Sequence, residues 1–452
     1  MSTGAKGFYP MLHLNPLIPL IPPHKKTIKT PLQPLMPLNP LQLQYQTIVI
    51  GGGPAGMIAA GRAAENGARV LLLEKNSLLG RKLLLTGGGR CNLTNAEFDK
   101  NIFLAKFKEA KKYLFSPFAK FGVEETIEFF EQQNLPTKIE AEKRVFPVSD
   151  KAQDVLDAMI SYMKRGGVEI RTNSVVSGFE VVNGKIIGVH LANQEIVEAD
   201  AFVLATGGKS HPETGSTGDG FAWLKEIGHN VIQPDLALVP IKIKETWVHK
   251  LSGLALSEAK INLWQNNKKQ KSAQGKMLFT HFGLSGPMIL NTSKAVGQLL
   301  KTGPVIISLD LLPEFDEAAV DKKVQEIFSE NLNKKIKNCL DGLITPALSP
   351  TLLESSEIDP ENFVNKISRE ARLRLVKFLK YLPMTVTGLM GVENAIVTSG
   401  GVDLKEIDFK TMQSKLYPNL YIVGDALDIE RPSGGYSLQL CWTTGYVAGE
   451  SV

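Results

Sequence analysis

The spacing of apolar and polar positions changes period several times along the chain, and each change marks an element. In the run QTIVIGGGPAGMIAAGRAAENGARVLLLE at 46–74, a short β-branched stretch at 47–50 breaks at glycines and continues with helical spacing over 57–65. A second apolar strand at 70–73 then ends at Glu74. Strand, glycine turn, helix and strand in this order predict a βαβ unit of the dinucleotide-binding kind. Further helical patterns fall at roughly 104–119, 123–133 and 151–165. Residues 168–208 read as successive strands with a hairpin turn at Asn183-Gly184, returning to the main sheet at 201–205.

From about 236 to 310 the pattern shifts to short strands and loops, and 314–379 is lysine-rich and helical. These two stretches read as an inserted module with a β part and a helical part. The chain re-enters the first domain near Thr385, adds a core strand at 419–423, and ends in a helix opened by SGGY. Residues 10–40 hold nine of the 25 prolines, which forbids helix and disfavours a central strand. That segment reads either as a disordered, polyproline-like leader or as a mistranslated start, with initiation near Met36.

Composition narrows the classes. With 452 residues, 43% hydrophobic and 21% charged, the chain is an ordinary globular protein of more than one domain. Its net charge of +5 is small for this length, so no nucleic-acid partner is expected. Cys91, Cys339 and Cys441 are far apart and lack C-x-x-C spacing, and the seven histidines form no ligand pair. This predicts a reducing, cytoplasmic setting without disulfides or a metal site. No run of about 18 apolar residues exists to cross a membrane.

The chemistry begins at the glycine turn. Gly51 permits the tight bend, Gly53 lets backbone touch a pyrophosphate, and Gly56 allows close helix–strand packing, with Pro54 and Ala55 between them. The pyrophosphate would rest on free N–H groups at the positive end of the helix. Glu74, 18 residues past Gly56, is placed to accept bonds from ribose hydroxyls and to repel a 2′-phosphate. This motif alone does not choose between FAD and NAD. Thr206-Gly207-Gly208 forms a second glycine turn, and Gly424-Asp425 follows the 419–423 strand at its carboxyl tip. Gly434-Gly435-Tyr436-Ser437 opens the last helix toward an anionic or electron-rich ring edge.

Three separated segments, GGGPAG with Glu74, GRKLLLTGGGRCNLTN at 80–95, and TSGGVDLKEI with GDALD and SGGY, together carry a resemblance. The chain resembles the BaiN/YhiN-like flavoproteins, NAD(P)/FAD-dependent oxidoreductases of the glutathione-reductase-like FAD superfamily. The resemblance implies an α/β fold: a Rossmann-like FAD-binding domain over 45–235 and 384–452, interrupted by a β-barrel-like subdomain at 236–312 and a helical one at 313–383, behind a leader at 1–44. It implies FAD as cofactor, with Arg81, Lys82, Gly87, Gly88 and Asn92 against flavin or pyrophosphate and Asp425 at the ribityl or phosphate region. Lys75, Gly80, Thr86 and Val176 complete the expected contact set. No second strand-coupled G-x-G-x-x-G is visible, so NAD(P)H is expected only as a transient donor.

Family members reduce conjugated double bonds in bile-acid-like steroids, which implies hydride transfer to or from a small organic substrate. Where relatives have G-E-x-L-D and G-G-Y-N, this chain has Gly424-Asp425, then Glu430-Arg431-Pro432, then Gly434-Gly435-Tyr436-Ser437. A flavin-dependent RNA-modifying enzyme and a non-catalytic FAD-binding regulator are the alternatives, and oligomeric state stays open. Arg90 is either a cation for substrate or reduced flavin, or a salt-bridge residue of its own loop. His281 is either the proton donor or a structural histidine at the insertion junction. Asp219 reads equally as a flavin-pocket acid and as a turn residue. Cys91 has no resolving partner and reads as structural.

Overall fold

The computed structural model describes residues 44–391 and 397–452. All but the last position of the leader expected over 1–44 therefore lies outside the described residues.

Five parallel strands form the heart of the molecule, in the spatial order Leu420–Ile422, Ile196–Leu204, Tyr45–Ile50, Val70–Leu73, Glu169–Arg171. Ile50 pairs with both Leu73 and Leu204, Leu204 pairs with Ile422, and Leu73 pairs with Arg171. The carboxyl ends are thus flush, and the loops that leave them share one edge. That edge is where ligands bind in doubly wound sheets. Ile48, Val49, Leu71, Leu72, Val203 and Ile422 are fully buried, the continuous apolar pattern of strands covered on both faces.

Helix Pro54–Glu65 covers one face and is itself crossed by the last helix, Tyr436–Ser451. The approach is close because both helices are small where they meet. A Cβ on Gly445 would stand 2.3 Å from Ala55 O, and one on Gly449 2.4 Å from Ala59 O. Helix Ala152–Arg165 packs against another side of Pro54–Glu65, with Tyr162 seated on Gly61. The helical pattern at 104–119 is realised as two pieces, Lys100–Ala105 and Lys111–Lys120. Asn183 and Gly184 both have positive φ, as a two-residue type I′ hairpin requires.

An antiparallel ribbon of Val231–Ala237 and Val397–Val402 leads out of this unit and back. Beyond it lies a closed six-stranded barrel of Ile241–Ile243, Gly283–Ser285, Lys268–Thr280, Ala255–Gln265, Ile306–Asp310 and Leu382–Leu389. Ile261, Leu263, Phe279, Ile307, Leu309 and Met384 are completely buried in its core. Helices Glu317–Glu330, Ser349–Ser355 and Arg369–Lys380 lie in sequence between the last two barrel strands. Their junction to the barrel holds a buried ion pair, Lys380 Nζ to Asp310 at 2.8 Å, with Nζ also donating to the Leu312 and Phe315 carbonyls. The closing strand Leu382–Leu389 spans position 384, so the chain leaves the barrel only after Leu389.

Candidate cofactor and active site

At the flush edge of the sheet the glycines separate by role. Gly51 has φ +108, and a Cβ there would stand 2.5 Å from Ala205 O. A Cβ on Gly56 would fall 1.9 Å from Gly51 O, so Gly56 is a packing residue and does not line the cleft. Gly53 has nothing within 4 Å of its added Cβ and faces open space. As N-cap of Pro54–Glu65 it makes no side-chain cap bond, which leaves the first helical N–H groups available to an anion.

Gly51 and Gly53 help line a cleft at this edge. Pro54, Ala55, Glu74, Lys75, Gly80 and Arg81 line it from the first βαβ unit, and Val176, Thr206, Gly207, Asp219, Gly424 and Asp425 from elsewhere. Gly208 is buried and does not line it. Glu74 accepts three bonds from the protein: Oε2 accepts the Gly52 N–H at 2.8 Å, and Oε1 accepts the Asn76 N–H at 2.8 Å and Asn76 Nδ2 at 2.7 Å. Lys75 Nζ bridges Thr217 Oγ1 at 2.5 Å and Asp219 Oδ2 at 2.7 Å. Burial alone would raise the Asp219 carboxyl, but Lys75 and Thr217 hold it below the usual range. Thr206 Oγ1 is buried without a hydrogen-bond partner.

Lys82 belongs to this cleft and to a second cavity of about 1690 Å³. Its Nζ donates to Ser210 Oγ at 2.5 Å and lies 3.5 Å from Asp425 Oδ2. Asp425 also accepts from Arg431, whose guanidinium is fully buried and bonds Ser437 Oγ at 3.1 Å and Ile429 O at 2.6 Å. Burial pushes the Asp425 carboxyl up, but Arg431 first and Lys82 second overcome it, so the acid sits below its ordinary range.

The second cavity collects the rest of the expected set: Thr86, Gly87, Gly88, Arg90 and Asn92 on one side, and Gly434, Gly435, Tyr436 and Ser437 on the other. Gly87, Gly88 and Gly89 all have positive φ, so the loop follows a path that side-chain-bearing residues resist. Asn92 Oδ1 is buried and unpartnered. Pro287 and Asn291, from the helix Pro287–Leu300 that follows the barrel strand Gly283–Ser285, also line this cavity.

Three of the residues weighed in the sequence have definite surroundings in the structure. Arg90 is held by its own neighbourhood: Nε bonds Asp150 Oδ1 at 2.7 Å, Nη2 contacts Glu140 at 2.5 Å, and the guanidinium lies 4.1 Å above the Phe146 ring. Glu140 is kept below the usual carboxylate range chiefly by Arg90, and Asp150 by Lys138 and then Arg90. The charge of Arg90 is thus already spent on two acids. His281 lies exposed in the turn after Lys268–Thr280 and lines neither cavity. Cys91 is completely buried and burial pushes its thiol up to about 12, as a structural cysteine requires. Sequence reasoning passed over Asn76, the 214–218 segment and His211, and met Arg431 only as a departure from the relatives' pattern; all lie at these clefts or are bonded into them. Only the G-S-T-G-D-G string at 215–220 hinted at the second of these.

A flush parallel sheet, an uncapped glycine-rich helix start and a cleft at its carboxyl edge define a Rossmann-type dinucleotide-binding protein. The chain belongs to the HI0933-like family, whose profile, described as HI0933-like protein Rossmann domain, matches residues 45–451. It is an FAD-dependent oxidoreductase of the flavoprotein superfamily. It is 32% identical over 89% of its length, and 98% of the relative's, to a 3-dehydro-bile acid delta(4,6)-reductase of Clostridium scindens. It is 30% identical over 90% of its length, and 98% of the relative's, to a ribosomal RNA dihydrouridine synthase of Haemophilus influenzae. The fold is shared with 3-ketosteroid delta1-dehydrogenase from Sterolibacterium denitrificans, at TM-score 0.53 and 13% identity over 90% of this chain and 98% of that one. No helix among the described residues is long and apolar enough to cross a membrane.

Proposed function

We propose that the protein reduces a carbon–carbon double bond conjugated to a carbonyl, with FAD as hydride carrier and NAD(P)H as transient donor. The observation that carries this reading is the meeting of the two clefts at Lys82. An extended dinucleotide with a central pyrophosphate fits such a pair. Gly53 is open, the first N–H groups of Pro54–Glu65 are uncapped, and Thr206 Oγ1 and Asn92 Oδ1 are oxygens awaiting donors. On this reading Gly51 to Ala55 hold the pyrophosphate, Glu74 the ribose, Lys82 and Asp425 the middle, and Gly87, Gly88, Asn92 and 434–437 the flavin half. Bound there, FAD supplies two-electron chemistry, while the chain contributes orientation, electrostatics and exclusion of water. Arg431 and Lys82 keep Asp425 ionised and therefore an acceptor for a cofactor hydroxyl.

The names of the two curated relatives share one reaction type, saturation of a C=C bond, in a bile acid and in an RNA base. That shared chemistry supports the reading. A second reading, in which RNA presents the base, is favoured by Lys82, Lys106 and Arg144 in the cavity lining against the single acid Glu142. Three free buried cysteines support a cytoplasmic setting.

The test begins with heat release of the bound flavin, expected to be FAD. The holoprotein is then mixed anaerobically with NADH or NADPH while flavin absorbance is followed. Reduced protein is finally offered 3-oxochol-4-en-24-oic acid or an unmodified ribosomal RNA fragment. Reoxidation by either assigns the substrate class, and reoxidation by neither defeats the proposal.

A further inference from the structure

The second cavity needs a proton source, because saturating a conjugated double bond takes one hydride and one proton. Most of its titratable groups are committed elsewhere. Arg90 is bound to Glu140 and Asp150, and Lys82 to Ser210 and Asp425. Tyr436 is wedged against Phe103 at 4.8 Å and Phe107 at 6.0 Å, and burial pushes its hydroxyl up. Glu142 is exposed and lies 3.8 Å from Arg144.

His211 differs from all of these. It lines the cavity, as Lys82 and Asn291 do, and its Nδ1 lies 2.8 Å from Glu213 Oε1. A carboxylate accepts only, so Nδ1 carries the hydrogen of that bond. Nε2 is left as the nitrogen that exchanges a proton with whatever the cavity holds. The backbone of His211 is left-handed, with φ +55. Thr214 secures it by donating Oγ1 at 2.6 Å and N–H at 2.9 Å to His211 O. On the other side Ser210, fully buried, receives Lys82 Nζ. These contacts fix the backbone of His211 at the cavity wall.

We infer that His211 is the proton donor of the reduction and that Glu213 is the positioning residue that sets its tautomer. This rests on the reductase reading above. Reduced FAD bound there would supply the hydride and its two electrons to the β-carbon of the substrate, and the π pair would move onto the α-carbon and carbonyl as an enolate. The Nε2–H bond of imidazolium then breaks, a C–H bond forms at the α-carbon from the enolate pair, and the neutral ring regains its proton from solvent. Carbonyl and substrate charge are restored. Glu213 is suited to its part: burial would raise its carboxyl, but the bond to His211 leads the effects that hold it below the usual range.

Two measurements test this. Imidazole nitrogen NMR on oxidised holoenzyme labelled with ¹⁵N-histidine reads the ring without turnover. The expected neutral form of His211 is the Nδ1–H tautomer, moving toward Nε2–H in Glu213→Gln. An Nε2–H tautomer in the parent, or no change in the variant, overturns the inference. In stopped flow, reduced His211→Asn with its full complement of FAD should reoxidise with 3-oxochol-4-en-24-oic acid at least about 100-fold more slowly than the parent. Its solvent isotope effect should change while reduction by dithionite does not. Equal reoxidation overturns the role of His211 and leaves the reductase reading standing. A parent that neither the enone nor ribosomal RNA reoxidises fails the reading itself, and the proton-donor assignment falls with it.

Discussion

The Gly52 N–H donates to Glu74 Oε2 at 2.8 Å, so the acid placed by sequence at the ribose also braces the glycine turn. Its other oxygen takes two bonds from Asn76. Glu74→Gln puts an NH₂ where one of these donors must be accepted, and a donor then faces a donor. The expected result is FAD affinity weakened by about 1–3 kcal/mol together with a lower melting temperature of the apoprotein. Isothermal titration with FAD and calorimetry of apoprotein separate the two. Weakened binding with an unchanged apoprotein would assign Glu74 to the ribose alone.

Lys82 and Arg90 lie eight positions apart on one loop, and their environments predict opposite behaviour. Lys82→Ala removes the cation shared by both clefts and should lower FAD retention after gel filtration. Arg90→Ala breaks the contacts to Glu140 and Asp150, so it should lower the melting temperature while FAD stays bound. Direct donors to a developing anion are worth about 10²-fold or more in rate. Single-turnover reoxidation of Arg90→Ala should fall far short of that loss. A drop of that size would return Arg90 to the chemistry.

The parts of the molecule that were legible in sequence are those whose constraint is local. Gly51, Gly53 and Gly56 announce a turn because each conformation or close approach is decided within a few residues, and the loop at 80–95 is legible by its unusual string. Pairings across the chain were not. Arg90 meets an acid 60 residues away, and nothing in the loop distinguishes a free arginine from a committed one. His281 and His211 are the same residue type in comparable glycine-flanked contexts, and only the fold puts the second in the cavity that Lys82 also lines. Much of the β character of 236–310 was readable from its pattern, but the helix Pro287–Leu300 inside it was not, and neither was strand order, since alternation gives a face and says nothing about a neighbour. Closure of the barrel by Leu382–Leu389 follows from pairing with Ile241–Ile243, about 140 residues earlier in the chain.

Neighbouring glycines in the loop offer an internal control. Gly88 has φ +68 and open space around its added Cβ, so Gly88→Ala should cost only the left-handed backbone penalty, about 1–2 kcal/mol. Gly87 has φ +58, and its Cβ would stand 2.9 Å from the backbone N of Asn92 and 3.1 Å from the Phe146 ring. Gly87→Ala therefore adds a clash with backbone that cannot move without carrying Asn92 out of the cavity. It should lose more stability in denaturant melts and more FAD than Gly88→Ala does. Equal effects would show that the cavity side of this loop tolerates displacement.

The buried pair of Asp425 and Arg431 makes a prediction whose sign depends on pH. In the parent, Asp425 is held below its ordinary pKa, so its contribution is present above the unfolded value near 3.9 and is lost as pH falls through the lower folded value. Arg431→Leu keeps the packing volume but removes the larger of the two cationic influences, leaving a buried carboxylate with Lys82 3.5 Å away. Breaking such a pair costs about 3–5 kcal/mol near neutral pH. Desolvation then dominates and raises the folded pKa of Asp425 above the unfolded one, which reverses the linkage: stability in the variant is fullest below the unfolded pKa and is lost as pH rises through the folded one. The stability gap between parent and variant should therefore shrink steadily from pH 7 to pH 4 in urea melts. A double variant, Arg431→Leu with Asp425→Asn, should recover much of the loss at pH 7 and show little of the pH dependence. A gap that stays constant over this range would mean that Lys82 alone keeps Asp425 ionised, and that Arg431 serves chiefly to hold Ser437 and the Ile429 carbonyl in place.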